Sequence, residues 1–138
     1  MAERRWVAVS EVMHKDVTEI DGNITVLEAL RIMHDVEATS LIVKRRHEKD
    51  EYGMLLFSDI AKHVIGKDRA PDRVNVYEIM AKPVVWVRPE MDIRYCARLF
   101  EKFGIGHAPV IDGNHKVVGI ISYYGIALKS LPFLEDDR

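Results

Sequence analysis

The histidines and the single cysteine are the side chains in this sequence that most often bind metals or act as nucleophiles. No two of the six histidines lie four residues apart, so the sequence predicts no metal site on a helix face. Cys96 falls on the apolar face of a predicted helix, whereas a catalytic thiol needs an accessible, electropositive setting. No nucleophile–base or carboxylate pair stands out either. We therefore predict no catalytic residues, no metal ligands and no enzyme activity.

Two further motifs resemble anion-binding patterns. Gly104-x-Gly106 has the spacing of a dinucleotide loop, but it follows a predicted helix and precedes a predicted strand, the reverse of the required order. The basic cluster Lys44–His47 is followed at once by Glu48, Asp50 and Glu51. These neighbouring acids favour a solvated hairpin tip, with an anion or RNA contact as the alternative.

Composition narrows the class of protein further. The chain has 138 residues and a formal net charge of -2, too balanced to indicate nucleic acid as the main partner. No apolar run approaches the roughly 18 residues of a membrane span. The N-terminal residues Met1–Trp6 are not followed by a long apolar stretch, so we expect no secretory signal. The predicted location is therefore cytoplasmic, without a membrane partner.

The elements that must position any site come from an internal repeat. A shift of 67 places aligns Val9–Val43 with Val76–Val110 without a gap, and a shift of 66 then aligns Gly53–Leu55 with Gly119–Ile121. Apolar residues pair with apolar residues along both alignments. We predict two repeats, 9–65 and 76–131, joined by a linker at 66–75. Because each repeat is too short for a comfortable core, the two are expected to pack on each other.

Each repeat has the same predicted order, a short capped turn followed by β-α-β-β-α. Ser10 and Asn75 are the expected N-caps of the turns, and Asp92 is the expected N-cap of the second long helix. The helices have apolar residues at i, i+3, i+4, i+7 and i+10, beginning at Val26 and Ile93. The predicted strands are Val17–Ile20, Leu41–Lys44, Tyr52–Phe57, Val84–Val87, Ala108–Ile111 and Val117–Ser122. A hairpin is expected at Asp112-Gly113-Asn114, with Gly113 at positive φ, and the final helices start near Ser58 and Tyr124.

This order, found twice, resembles the cystathionine-β-synthase (CBS) domain. The motif Val-x-Glu-Val/Ile-Met at Val9 and Val76 and the segments Gly104–Val110 and Gly119–Ser122 are similar to those of CBS domains. Two such domains in tandem form a Bateman module. The resemblance implies an α/β (α+β) fold in which two β-α-β-β-α repeats pack with pseudo-twofold symmetry and leave two clefts between them. It also implies a flat homodimer. Because aromatic residues are enriched at interfaces, Trp6, Trp86, Tyr123 and Tyr124 could form part of a subunit contact, with ordinary core and rim positions as the alternative.

The same resemblance implies an adenosine-containing ligand: AMP, ADP, ATP or S-adenosylmethionine. The family motif Gly-h-x-Ser/Thr-x-x-Asp supplies a hydroxyl, and a carboxylate that can accept both hydroxyls of a ribose. In the first repeat Asp59 is present, but Leu56 replaces the hydroxyl residue. In the second repeat Ser122 is present, but Gly125 replaces the acid. Asp59 could instead be a helix-start acid beside an N-cap at Ser58, and Ser122 a helix cap.

Further pocket positions follow from the resemblance. His107 could stack on a base, or it could be a half-buried histidine bonded to the backbone. Pro109 suits a strand start because it lacks an N–H. Lys82 could meet a phosphate, or it could be an ordinary exposed lysine. The remaining predicted ligand-binding residues are Ala108 and Val84 in the second repeat, and Val17, Ser40 and Ile42 in the first, near Lys15, Asp16 and Thr39.

The sequence thus predicts a regulatory module that senses an adenine nucleotide or adenosyl compound and transmits binding by a conformational change. No cofactor is obligatory, and the regulated partner is unidentified. The alternative is a ligand-free dimer that serves as a scaffold for protein interactions.

Overall fold

A computed structural model describes residues 5–135 of the chain. Residues 1–4, which form part of the segment examined for a secretory signal, lie outside the described range. The helices are α1 (Val9–Val12), α2 (Val26–Val36), α3 (Phe57–His63), α4 (Ile93–Phe103) and α5 (Leu131–Glu135). The strands are β1 (Glu19–Ile20), β2 (Ser40–Val43), β3 (Gly53–Leu56), β4 (His107–Ile111) and β5 (Val117–Ser122). The predicted α+β fold with small sheets is confirmed.

These elements form two compact units that do not follow the repeats of the sequence. The central unit is Thr18–Val84, and the terminal unit joins the chain up to Val17 with the chain from Val85 onward. The opening turn of each repeat therefore packs beside strands of the other repeat. In the terminal unit His14 pairs with Ile120, and in the central unit Ala81 pairs with Met54.

The central unit is a three-stranded sheet in the order β1-β2-β3, with β1 parallel and β3 antiparallel to β2. Helix α2 begins after Thr25, whose side chain accepts a hydrogen bond from the Glu28 N–H at 3.1 Å. Its predicted apolar face is buried in the core at Val26, Ala29 and Met33. Val74, which lies in the predicted linker, and Val76 complete this core, so the linker and the turn after it are part of the unit.

The terminal unit has a two-stranded antiparallel sheet, β4-β5, packed with α1 and α4. Asp92 caps α4 as predicted, accepting from the Arg94 N–H at 2.8 Å, and its other oxygen accepts from the Val7 N–H at 3.1 Å. The tip of the β4-β5 hairpin differs from the expectation. His115, with φ 60°, occupies the left-handed region, and Gly113 does not.

The predicted strand Val84–Val87 is wrong, and Pro109 gives the reason. Only Val87 pairs with β4, through Val87 N–H to Pro109 O and Ile111 N–H to Val87 O. The next bond of a parallel ladder would require an N–H on residue 109, which proline lacks. At the matching position of the central unit, Ile42 donates its N–H to Thr18 O at 2.9 Å and β1 forms. Pro109 is also the third residue of β4 and not its start.

The predicted side-chain caps at Ser10 and Ser58 are wrong, because both residues lie inside helices. The residues that occupy the N-cap positions are Ala8 and Leu56, and Asn75 does so in the second repeat. A carboxylate three residues after each of them accepts from its backbone N–H. Glu11 Oε2 accepts from the Ala8 N–H at 2.8 Å, and Glu78 Oε2 accepts from the Asn75 N–H at 2.7 Å. Each carboxylate therefore satisfies a donor that a helix start would otherwise leave unpaired.

Candidate functional site

The junction between β3 and α3 in the central unit holds the acidic half of the predicted ligand motif. Strand residue Leu56 lies opposite Ser40, and the Phe57 N–H donates to Thr39 O at 3.0 Å. Asp59 sits in the first turn of α3, where its Oδ2 accepts from the Leu56 N–H at 3.0 Å. Short local bonds therefore bring the Asp59 carboxylate and the first residues of β2 to the same end of the sheet.

The Asp59 carboxylate fits both of its predicted roles. Oδ2 satisfies the start of α3, as the helix-start interpretation requires. Oδ1 makes no hydrogen bond with any residue that the structure describes, and the side chain is only half-buried. One oxygen thus fixes the orientation of the carboxylate, while the other remains an acceptor that an alcohol group can reach.

The matching junction in the terminal unit is closed to a carboxylate. Ser122 Oγ accepts from the Gly125 N–H at 3.4 Å, so the hydroxyl faces the start of the helical segment Gly125–Lys129, which follows β5. A Cβ on Gly125 would lie 2.7 Å from the carbonyl oxygen of Val12. The close approach of α1 therefore requires glycine at the position where the first repeat has Asp59.

His107 lies directly opposite Ser122 in the β4-β5 register. It is half-buried, and burial lowers its pKa from the ordinary value, which favours the neutral imidazole near pH 7. Its strand neighbours Ala108 and Pro109 are buried. Among these three, the structure leaves His107 best able to reach a ligand.

The other predicted positions divide between the two units. Ile42 is fully buried in β2 and Ser40 is nearly so, while Val84 is half-buried. Val17 is half-buried in the terminal unit, after the exposed Lys15 and Asp16. The opening turn of each repeat thus shares a unit with the β-hairpin of the other repeat, a connection that a repeat-by-repeat comparison does not show.

Lys82 lies away from the Asp59 junction. Its Nζ donates to Asp50 Oδ2 at 2.8 Å, and it lines a cavity with Val43 and Arg46, at the end of β2 opposite Ser40. Arg46 Nε donates to the same Asp50 oxygen at 3.0 Å. Sequence reasoning missed this cluster, because 32 residues separate Lys82 from Asp50 and no local pattern connects them.

A protein-family model matches both repeats of the chain. The CBS domain model matches residues 9–66 and 76–130. The chain belongs to the CBS domain family. The hexameric CBS-CP12 protein from bloom-forming cyanobacteria superimposes on this CBS pair with a TM-score of 0.89 and 41% identity, over 96% of this chain and 75% of that one.

Sequence relatives include much longer proteins. An uncharacterized protein of Methanopyrus kandleri is 30% identical over 94% of this chain and 65% of its own length. A homoserine O-acetyltransferase of Methanosalsum zhilinae is 36% identical over 83% of this chain, but only 22% of its own length. The CBS pair therefore spans less than two thirds of either relative. None of the helices within residues 5–135 is long and apolar enough to cross a membrane.

Proposed function

We propose that this CBS pair is a regulatory module that binds an adenosyl compound or adenine nucleotide at the β3–α3 junction of the central unit. Asp59 is its ribose ligand, with Oδ1 accepting from the ribose hydroxyls. The observation that carries the proposal is the Asp59 carboxylate, held at one oxygen by the Leu56 N–H and open at the other. Such a fixed acceptor loses little freedom on binding.

A structure of the same fold supports the ligand class. The CBS domain pair of protein MJ0100 has been solved in complex with 5′-methylthioadenosine and S-adenosylmethionine, and it superimposes with a TM-score of 0.76. At 23% identity this likeness shows a shared fold, and we extend the ligand class to this chain as part of the proposal. Leu56 lacks a hydroxyl donor at the motif position, which favours ligands whose recognition depends on ribose and base over those held mainly by phosphate.

The proposed function is regulatory and not catalytic, and no cofactor is obligatory. The similarity to the homoserine O-acetyltransferase relative covers about a fifth of that protein's length, so we do not propose its enzyme activity for this chain. A ligand regulates when it binds one conformation of the module more tightly than another. The regulated protein would then respond to the population that the ligand favours.

Calorimetry and thermal unfolding with S-adenosylmethionine, 5′-methylthioadenosine, AMP, ADP and ATP test the proposal. Binding would raise the free energy of unfolding by about 2.7 kcal/mol at a ligand concentration 100 times Kd. Asp59→Asn keeps the shape of the side chain and should weaken the best ligand at least tenfold. Glu11→Gln is the matched control, because Glu11 makes the same helix-start bond in the terminal unit.

One further variant and two contrary results complete the test of the Asp59 site. Ser122→Ala should leave affinity for the ligand close to that of the unchanged protein, since Ser122 has no acid at its junction. If Asp59→Asn and Glu11→Gln bind equally well, Asp59 is not the ribose ligand. If no compound shifts the unfolding temperature at millimolar concentration, the sensor function is wrong and the scaffold function gains support.

One observation favours the scaffold as the second candidate. Tyr124, Leu128 and Leu131 are each more than half exposed on neighbouring turns near the end of the terminal unit. Large apolar side chains grouped on a surface mark interaction sites. We propose that this surface joins two chains in a homodimer. Light scattering should then report twice the chain mass for the unchanged protein and a monomer for Leu128→Glu.

A further inference from the structure

The central unit contains a cavity that neither the Asp59 junction nor the family motif uses. It has a volume of about 430 Å³ and lies beyond the end of β2, between that strand and the chain segments around Gly22 and Met80. Small-molecule sites typically measure about 300–1,000 Å³. The cavity is therefore large enough for a compact organic ligand.

The lining of this cavity is strongly basic. Lys44, Arg45, Arg46 and Lys82 all contribute, and Asp21 is the acid that lines it. Asp50 adds a second carboxylate, through its bonds with Arg46 and Lys82. Four cations against two carboxylates leave a local charge of +2.

The carboxylate of Asp50 holds two of the cations in place. Hydrogen bonds from Arg46 and then Lys82 hold the pKa of Asp50 far below its usual range, so Asp50 stays ionised at neutral pH. The Asp50 side chain is 8% exposed and that of Lys82 is 19% exposed, which limits the screening of their charges by water. The cations are therefore positioned before any ligand arrives.

The other two cations differ in their freedom. Arg45 is fixed, because its Nη1 donates to Glu48 O at 2.8 Å and its guanidinium lies 5.0 Å from the centre of the Tyr52 ring. The Lys44 side chain makes no ion pair with any residue in the range 5–135 and is exposed. Lys44 can therefore turn toward an anion without breaking an existing contact.

The remaining wall is apolar and aromatic. Val43 and Met80 contribute aliphatic surface, and the Tyr77 ring lines the cavity while remaining 56% exposed. An exposed aromatic face beside cations suits a flat ring that carries an anionic group. A phosphate monoester carries about -1.5 to -2 at pH 7, which matches the local charge.

We propose that this cavity is a second ligand site, which binds a phosphate monoester of a flat, ring-containing molecule of mononucleotide size. Lys44 and Lys82 contact the phosphate, and Tyr77 stacks on the ring. The site is independent of the Asp59 junction, and either can exist without the other. It also gives the basic cluster Lys44–Arg46 a function beyond a solvated hairpin tip.

The test uses AMP as the probe in the full chain carrying Asp59→Asn, which weakens the proposed adenosyl site at least tenfold. Calorimetry should show AMP binding that weakens as salt is raised. Adenosine, which lacks the phosphate, should bind at least tenfold more weakly than AMP. In the same background Lys44→Gln should weaken AMP about tenfold, the effect expected for one lost charge-assisted hydrogen bond.

Two further variants separate a ligand site from a structural cluster. Lys49→Gln is the matched control, because Lys49 is an exposed lysine of the same loop that does not line the cavity, and it should bind AMP unchanged. Lys82→Gln removes the second proposed phosphate contact and should weaken AMP binding about tenfold. If Lys82 served only to pair with Asp50, Lys82→Gln would leave AMP binding unchanged.

Three results would overturn the proposal: no AMP binding at millimolar concentration once Asp59 is replaced, equal effects of Lys44→Gln and Lys49→Gln, or unchanged AMP binding in Lys82→Gln. The first of these, combined with AMP binding to the unchanged chain, would place the nucleotide at the Asp59 junction alone. The two sites are thus tested separately.

Discussion

Gly125 provides the sharpest test of why the terminal junction lacks an acid. In Gly125→Ala the new Cβ would lie 2.7 Å from Val12 O and 3.3 Å from Ile121 Cδ1. The Val12 carbonyl cannot easily retreat, because α1 is tied to its surroundings by Val9 N–H to Met91 O at 2.8 Å and by His14 N–H to Ile120 O at 2.8 Å. The clash is therefore with fixed backbone.

The expected cost follows from two opposing effects. Forcing an extra methyl group into a packed site costs about 1–3 kcal/mol, and contact with immobile backbone places this site at the upper end. Alanine is favoured over glycine in a helix by about 1 kcal/mol. We therefore expect Gly125→Ala to lower the free energy of unfolding by about 2 kcal/mol, with a larger loss for Gly125→Asp.

Urea unfolding followed by circular dichroism measures this difference. Gly113→Ala is the matched control, since a Cβ there meets no atom within 4 Å and the φ of Gly113 is not positive. It should stay within about 0.5 kcal/mol of the unchanged protein. A Gly125→Ala variant as stable as Gly113→Ala would show that the clash with α1 costs no more than the roughly 1 kcal/mol gained from alanine in a helix, and packing would no longer explain the missing acid.

Three further predictions concern the terminal unit and its counterpart. Asp92→Ala removes the hydrogen bonds from the Val7 N–H, the Arg94 N–H and the Arg94 guanidinium. Thr25→Ala removes one cap bond at the matching position, which lowers the free energy of unfolding by roughly 1 kcal/mol, and urea unfolding should show a clearly larger decrease for Asp92→Ala. Burial lowers the pKa of His107, so the imidazole binds a proton more tightly in the unfolded chain than in the folded one. The free energy of unfolding should therefore fall as the pH drops below about 6.5, and His107→Gln should flatten this part of the stability-against-pH curve. Burial raises the pKa of Cys96 to about 11, so the native thiol should resist a disulfide reagent at pH 8 and react once urea unfolds the chain.

The parts of the fold that could be predicted from the sequence depend on local patterns. Both long helices follow the apolar spacing of their sequences, and Asp92 caps α4 as its residue type indicates. The strand at Val84–Val87 was predicted from β-forming residues alone. The strand does not form because Pro109 on the neighbouring strand lacks the N–H that the ladder needs. Which residue faces Pro109 depends on the register between strands, and the pattern of one segment does not contain that register.

The candidate site also combines features that local sequence patterns indicate with features that depend on contacts between distant segments. The sequence indicates Asp59 and Ser122 as members of a motif, and the structure shows the hydrogen bond that orients each of them. Whether Asp59 binds a ribose stays a prediction. The exchange of opening turns between the repeats and the Arg46–Asp50–Lys82 cluster depend on contacts between distant segments. Neither could be derived from spacing along the chain.

The two repeats keep one pattern of elements but have diverged at the positions that define a ligand site. Asp59 in the first repeat corresponds to Gly125 in the second, and Ser40 corresponds to His107. Packing against α1 fixes Gly125, so a substitution at Ser122 alone would not restore a second ribose acceptor. An adenosyl ligand without a phosphate group, such as S-adenosylmethionine, is therefore expected to bind with a stoichiometry of one per chain, even where two chains associate. Two such phosphate-free ligands per chain in calorimetry would mean that recognition at the terminal junction depends on groups other than a carboxylate, with the His107 imidazole the nearest candidate.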